Sequence, residues 1–382
     1  MILNLNSFIF IILDSLLLLV PRGRSETGKP KLLLVRLDMI GDYLLWLDAL
    51  RGIEKLYPSE DYQVVLLGNV AWYKLAEKNN YFSEVYPLKR SKFRFNVFYR
   101  FWILYRIRRT GFQIVISPVI SREFYFADCI VRVSGAARSI GVVGELNNNF
   151  LSWQKRWSNH WYTDLLQINK GSNMELLRNA EFIRQIGLPE FSFKRPVIEH
   201  SIEINCQLPA DYFVLFPGAG WPGRQWPAEK FQKIALRVQQ ETGWIGIIAG
   251  SYKEKSLAQK IYCEGACVLE DWTGQTDLLK LIELIKHSNL VITNETSAAH
   301  IAAAVNIPVI VIVGGGHYGR FFPYQTENEK QEYLPILVSL PMPCFNCNWN
   351  CCYPLMPRCP VPCIENISVE LVWEKILELI KR

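Results

Sequence analysis

Three short stretches hold the residue types that could act on an anionic, activated substrate. The first is Arg36-Leu37-Asp38-Met39-Ile40-Gly41-Asp42-Tyr43. Gly41 would allow a tight turn, and Asp42 would open a helix at the edge of a cleft. A carboxylate there can take a proton from a sugar hydroxyl as it attacks an activated carbon. It can equally do no more than cap the helix and complement its dipole. The second stretch is Phe216-Pro217-Gly218-Ala219-Gly220-Trp221-Pro222-Gly223-Arg224, followed by Trp226-Pro227. This is a glycine-rich strand-to-helix turn, and the Arg224 guanidinium could grip a diphosphate through two donors. The third runs from Thr293 through Asn294, Glu295, Thr296 and Ser297 to His300. An apolar strand that turns abruptly into a small-residue helix leaves helical N–H groups unpaired. Those donors and the helix dipole favour an anion. The alternative is an ordinary crossover helix capped by Thr296 or Ser297. Gly314-Gly315-Gly316 ends the next strand, and three glycines there would let a backbone approach a ligand closely.

Two further groups stand apart. Lys89 to Arg94, with Lys92 and Arg94, and then Arg100, Arg106, Arg108 and Arg109, interleave cations with aromatics; Trp153, Lys155, Arg156, Trp157 and Trp161 repeat the mixture. Aromatics can cover sugar faces, and cations can meet phosphates or anionic lipids. A solvated helix face with snorkelling side chains would read the same way. Six of the ten cysteines lie between Cys344 and Cys363. Cys344, Cys347, Cys351 and Cys359 are the candidates for a structural zinc or an iron–sulfur cluster. Free or locally paired thiols are the alternative, since the spacings match no standard zinc pattern closely.

The elements that must position these residues alternate strand with helix. Lys31 to Arg36 reads as a buried parallel strand and Asp42 to Leu56 as a helix. Strands follow at Gln63 to Leu67, Val85-Tyr86 and Gln113 to Ser117, with helices near Trp72 to Lys78 and over Phe98 to Arg109. Residues 145–172 lack periodicity and read as a long functional loop. A helix from Met174 to Ile186 ends at Gly187, and breaks at Pro189, Pro196 and Pro209 mark a domain boundary. The alternation restarts with a strand over Tyr212 to Phe216, a helix over Ala228 to Thr242 and a strand over Trp244 to Ala249. Helices over Lys253 to Glu264 and Thr276 to Lys286 follow, then the third stretch and a strand over Pro308 to Val313. A last helix covers Ser368 to Lys381. The predicted class is α/β, with two doubly wound parallel sheets and strand carboxyl ends facing a cleft.

Composition narrows the function. A net charge of +6 suits an anionic substrate or a membrane surface but is too weak to imply nucleic acid. The cysteines outside the local cluster form no disulfide framework, which favours a reducing compartment. Residues Phe8 to Val20 are apolar apart from Asp14 and Ser15, and Arg22 and Arg24 follow. The run is too short to span a bilayer comfortably and lacks the features of a signal peptide. It reads either as a helix on a membrane face or as one docked on the protein's own core. No Gly-Lys-Ser/Thr phosphate loop and no GxGxxG after the first strand are present, which argues against ATPase and dehydrogenase chemistry.

Taken in order, Arg36-Leu37-Asp38 with Ile40-Gly41-Asp42, Pro217-Gly218-Ala219 with Trp226-Pro227, and Asn294-Glu295-Thr296 with His300, Ala302-Ala303 and Pro308 resemble glycosyltransferase family 9, the heptosyltransferases of the lipopolysaccharide core. The resemblance runs from about Lys31 to about Val338. It implies a GT-B fold of two Rossmann-like domains facing a central cleft, and inverting transfer from an ADP-sugar without an essential metal. By position, Asp42 matches the general base, and Arg224 stands where the family usually has a lysine on the diphosphate. Thr296, Ser297 and His300 match donor-phosphate contacts. Gly218, Ala219, Gly220 and Glu295 complete the expected donor site, and Arg36, Gly41, Lys92 and Arg94 the acceptor side. Glu295-Thr296-Ser297 departs from the family's usual Asp-Thr-Gly, which bears on the donor's identity.

The expected organisation is a membrane-associating segment over 1–30, an acceptor domain over 31–200, a nucleotide-sugar domain over 201–340, and a Cys-rich segment with a helix over 341–382. The expected function is transfer of a heptose from ADP-heptose to a lipopolysaccharide-core or related cell-surface glycan. The acceptor would be lipid-linked or phosphorylated, and the protein cytoplasmic and peripheral to the inner membrane. The alternatives are a non-catalytic sugar-nucleotide or glycan-binding module, and a transferase using another donor such as a UDP-sugar.

Overall fold

A computed structural model describes residues 5–23, 28–145, 151–168, 173–199, 208–262, 268–326 and 334–381. Arg24, the 200–207 part of the expected boundary, the two ends of the expected 145–172 loop and the end of the helix expected to reach Glu264 lie outside them. The chain divides into two compact units. One comprises Met1–Tyr43, Ala49–Ser172 and Arg178–Ser192; the other comprises Leu44–Asp48, Asn173–Leu177 and Phe193–Arg382.

Helix α1 (Leu5–Leu16) opens the first unit. Strand β1 (Lys31–Arg36), helix α2 (Ile40–Leu56), strand β2 (Gln63–Asn69), the single turn α3 (Tyr73–Ala76) and strand β3 (Glu84–Leu88) follow. Helices α4 (Arg90–Phe95) and α5 (Val97–Thr110) lead to strand β4 (Ile114–Ser117). A π-helical turn, Phe124–Asp128, runs into α6 (Cys129–Ser134) and strand β5 (Arg138–Val142). Within the stretch expected to be an irregular loop, α7 (Ser152–Ser158) and strand β6 (Asp164–Leu166) form, and α8 (Glu175–Ile186) comes next. All pairings in this sheet are parallel, in the order β3-β2-β1-β4-β5-β6. Leu32 to Val35 are fully buried, as a central parallel strand covered on both faces requires.

The second unit repeats the plan. Strand β7 (Tyr212–Phe216), α9 (Ala228–Thr242), β8 (Ile245–Ile248), α10 (Lys255–Ile261) and β9 (Leu269–Asp271) come first. Helix α11 (Leu278–Lys286), β10 (Leu290–Asn294), α12 (Ser297–Ala304), β11 (Val309–Ile312) and β12 (Ile336–Val338) follow. A short α13 (Pro362–Glu365) and the terminal α14 (Val369–Ile380) complete it. The sheet order is β12-β11-β10-β7-β8-β9, again all parallel. Val369, Val372 and Ile376 of α14 join the core over this sheet with Phe231 and Ile234 of α9.

In both sheets the strand order reverses beside the first strand, between β1 and β4 and between β7 and β10. Loops leaving the carboxyl ends of those strands diverge there, which is where open α/β sheets bind ligands. The residues after β1 are Leu37 to Met39. Those after β7 and β10 are the other two stretches picked out above.

Candidate active site

In the first unit the β1–α2 connection is held rigidly. Arg36 is buried; its guanidinium meets Asp38 at 3.0 Å and donates to the carbonyl of Asp42 at 3.0 Å. Asn69 Nδ2 donates to the carbonyls of Leu37 and Asp38 at 3.1 Å each, and the Trp72 indole N–H donates to Asp38 at 3.0 Å. Trp72 stacks on Tyr43 at 4.0 Å. Arg36 therefore shapes the loop and offers little of its side chain to a ligand. Asp42 is the third residue of α2, and its Oδ2 accepts the Met39 N–H at 3.3 Å, as a capping carboxylate does. Gly41 was expected to make a tight turn. It is instead an ordinary helical residue of α2 and is not among the residues with positive φ; Leu37 to Met39 make the turn.

Lys92 and Arg94 are exposed on α4, which follows β3 at the same edge of the sheet. Two residues missed from sequence join this rim. Arg90 donates to the Leu37 carbonyl at 3.1 Å and forms a two-pronged pair with Glu123 at 2.6 Å. Arg90 lay inside the basic run, but nothing local marked it as the member turned toward β1.

In the second unit the two predicted stretches meet. Asn294 is fully buried; its side chain donates to the Pro217 carbonyl at 2.7 Å and accepts from the Trp226 N–H at 3.1 Å. It thereby joins the end of β10 to the Gly218-Ala219-Gly220 loop. Arg224 donates to the Glu295 carbonyl at 2.8 Å, lies 3.6 Å from its carboxylate and stacks on the Trp349 ring at 5.0 Å. The Thr296 side chain does not cap α12. Its Oγ1 lies 3.1 Å from Thr293 Oγ1, and Thr296 and Ser297 are half-buried at the helix start. Arg224 is thus tied through Glu295 to the start of α12, where the Ser297 and Ala298 amides precede the first helical bond, from the Ala299 N–H to the Thr296 carbonyl at 3.2 Å, an arrangement suited to a diphosphate.

Glu295 and His300 are both buried. Among the described residues neither oxygen of Glu295 takes a hydrogen bond. Burial lifts its carboxyl to about 7, against the opposing pull of Arg224 and Arg320. Burial, with Arg224 nearby, holds the His300 imidazole down to about 3. It stacks on Phe322 at 4.5 Å, and its Nδ1 lies 2.6 Å from the Tyr324 hydroxyl. His300 therefore serves as a neutral hydrogen-bonding ring and carries no cation to a phosphate at neutral pH. The Phe321-Phe322-Pro323-Tyr324 run was the available signal for this lining.

Two glycine readings change. A Cβ on Gly218 would come within 2.1 Å of Glu254 Oε1, so the Glu254 side chain already covers that backbone. At Gly314 to Gly316 the expected ligand is a part of the chain itself. A Cβ on Gly315 would sit 2.2 Å from Phe345, and one on Gly316 2.2 Å from Trp349. The Asn346 and Asn348 N–H groups donate to the Gly315 and Gly316 carbonyls at 2.7 and 3.0 Å. The Cys-rich segment is folded onto this turn and delivers Trp349 to Arg224. Its cysteines are free, and among the described residues no group of three or more His, Cys, Asp or Glu is placed to hold a metal. The zinc expectation at Cys344, Cys347, Cys351 and Cys359 is thus without support.

The family model for glycosyltransferase family 9 (heptosyltransferase) matches residues 106–337, more than half of the chain. Lipooligosaccharide heptosyltransferase 2 of Campylobacter jejuni is 28% identical over 174 residues, 44% of this chain and 50% of that protein. The protein of the same name from Haemophilus influenzae is 31% identical over 103 residues, 26% of this chain and 30% of that one. The chain spans about half the length, or less, of the curated relatives it matches. Among solved structures, Escherichia coli ADP-heptose lipopolysaccharide heptosyltransferase II aligns with a TM-score of 0.69 at 15% identity, covering 92% of this chain and 98% of that one. An E. coli heptosyltransferase bound to ADP-2-deoxy-2-fluoro heptose aligns at 0.66 and 16% identity, over 91% and 99%. The two doubly wound units are those of the GT-B fold. With the motif order in both sheets and a family match over most of the second, the chain belongs to glycosyltransferase family 9, the heptosyltransferase family.

Proposed function

We propose that this protein is an inverting glycosyltransferase that moves a heptose from ADP-heptose to an acceptor of the lipopolysaccharide-core type. The observation that carries the reading is the uncapped start of α12 beside Arg224, at the strand-order reversal of the second sheet. There the amides, Thr296, Ser297 and the guanidinium neutralise charge developing on the departing diphosphate. Glu295 suits this role as a neutral acid, since an approaching diphosphate disfavours its ionised form. Asp42 takes the proton from the acceptor hydroxyl as that oxygen attacks the anomeric carbon. The first unit is assigned to the acceptor, with Lys92 and Arg94 on its phosphates, and the second to the donor. The proposed transfer uses no metal. The relatives' names and the ADP-sugar in one neighbour support the donor and acceptor classes, and a lipid-linked acceptor places the enzyme at the cytoplasmic face of the inner membrane.

The test is Asp42→Asn. Turnover is expected to fall by about 100-fold or more, with ADP affinity unchanged. Equal loss of ADP binding or of folding overturns the assignment. A thermal-shift comparison of ADP, UDP and GDP reads the donor base. The hydrogen bond that occupies Asp42 Oδ2 favours one second reading, a sugar-nucleotide-binding module without turnover. ADP binding by purified wild-type protein, with neither donor hydrolysis nor transfer, would establish it.

A further inference from the structure

Helix α5 is apolar on two opposite faces. Ile103, Leu104 and Ile107, with Arg100, point into the core of the first unit. Phe98, Phe101, Trp102 and Tyr105 recur at the i, i+3, i+4, i+7 spacing of a single stripe, on the other side of the helix. This stripe is open: Phe98 is 86% exposed and Trp102 54%, and Phe95 at the end of α4 is 73% exposed. Helix α1 behaves the same way. It docks through Phe10, Asp14 and Leu17, with Asp14 in a buried two-pronged pair with Arg100. Its other side carries Ile12, Leu16 and, in the turn beyond, Leu19, all exposed. The segment is docked on the protein's own core, as one of its two readings expected, and still presents an apolar stripe outward.

The charge around these stripes names the occupant. Lys89 to Arg109 contains eight Lys and Arg and no Asp or Glu. Four of the arginines are satisfied inside the unit: Arg90 by Glu123, Arg100 by Asp14, Arg106 by Glu84 and Arg108 by backbone carbonyls. Lys89, Lys92, Arg94 and Arg109 are exposed, and among the described residues no carboxylate pairs with them. A protein partner of ordinary composition would call for mixed charges at the rim. Exposed Phe, Trp and Tyr beside uncompensated cations fit an anionic bilayer surface, where the rings sit at the headgroup level and the cations meet lipid phosphates. No described helix is long and apolar enough to cross a membrane, so the contact is a surface one.

We infer that α5, with α1 and α4 beside it, is a membrane-docking face that holds the first unit on anionic lipid. This deepens the proposed reading and rests on it only for the lipid-linked acceptor. Flotation of the purified full chain tests it, with vesicles of phosphatidylcholine alone or mixed with phosphatidylglycerol, at low and high salt. Wild type is expected to float with the anionic vesicles and to be released by salt. Four uncompensated cations correspond to on the order of 1,000-fold in partition. Phe98→Glu/Trp102→Glu is expected to abolish flotation, whereas Val268→Glu, an equally exposed apolar site in the second unit, leaves it unchanged. Circular dichroism and melting check that the double variant is folded. Equal binding to neutral vesicles, or flotation by the double variant, overturns the inference. So does self-association abolished by the double variant without flotation, which would make the face a contact between copies. Flotation without sugar transfer would leave the face standing and sink the transferase reading; transfer to a soluble acceptor without flotation would do the reverse.

Discussion

Replacing Glu295 by Gln is expected to stabilise the protein above neutral pH and to leave it unchanged near pH 4.5. The folded carboxyl titrates at about 7 against an ordinary value of 4.5. Between those values the folded state keeps a proton that the unfolded chain has released. Stability associated with Glu295 is therefore fully present below 4.5 and lost as pH rises through 7. At about 1.4 kcal/mol per unit, the loss approaches about 3 kcal/mol. Glutamine mimics the protonated acid and removes the loss, and Arg224 keeps its 2.8 Å bond to the residue 295 carbonyl. His300 has the opposite slope. Its folded value of about 3 lies below the ordinary 6.5, so its contribution is present above 6.5 and lost as pH falls. Between pH 4.5 and 6.5 the two slopes offset each other in the wild type. The assay is urea unfolding at half-unit steps from pH 4.5 to 8.5. The variant-minus-wild-type difference should grow from near zero to about 3 kcal/mol and level off above pH 7. A difference independent of pH, or a variant less stable at pH 8, would refute a buried Glu295 that keeps its proton up to about pH 7.

Asp14→Ala leaves the Arg100 guanidinium buried without its carboxylate and should cost about 3–5 kcal/mol in urea unfolding; adding Arg100→Met should recover much of that, and no recovery would argue against the pair. Trp349→Ala removes the ring on which Arg224 stacks and should weaken ADP binding about 2- to 30-fold by calorimetry. Unchanged affinity would show that the Cys-rich segment does not support the donor loop. Gly316→Ala drives a methyl into Trp349 and should destabilise by about 1–3 kcal/mol. By contrast Gly41→Ala, inside α2, should be neutral or stabilising by up to about 1 kcal/mol, with melting temperature as the readout.

These residues also show where the sequence is informative. Strands β1, β2, β7, β10 and β11 are buried on both faces, so they read as continuous apolar runs and their order predicts the doubly wound plan. Strand β5 begins at exposed Arg138 and β6 holds only Asp-Leu-Leu, so neither carries that signal, and the chain around them reads as irregular. Glycine is ambiguous for a deeper reason. It reports that something comes close to the backbone, but not what. At Gly315 and Gly316 the close neighbours are Phe345 and Trp349, some thirty residues downstream, and at Gly218 it is Glu254. Titratable residues mislead through burial. By residue type Glu295 is an anion and His300 a partial cation near neutral pH, yet the fold makes the ring neutral and leaves the acid about half protonated. The charge that a diphosphate would meet at the start of α12 then comes from Arg224, the helix amides and the dipole. The proposed donor stretch is readable because a strand-to-helix turn is local. Its electrostatics are not, because they depend on Trp349, Arg320 and Tyr324, which reach it only through the folded second sheet.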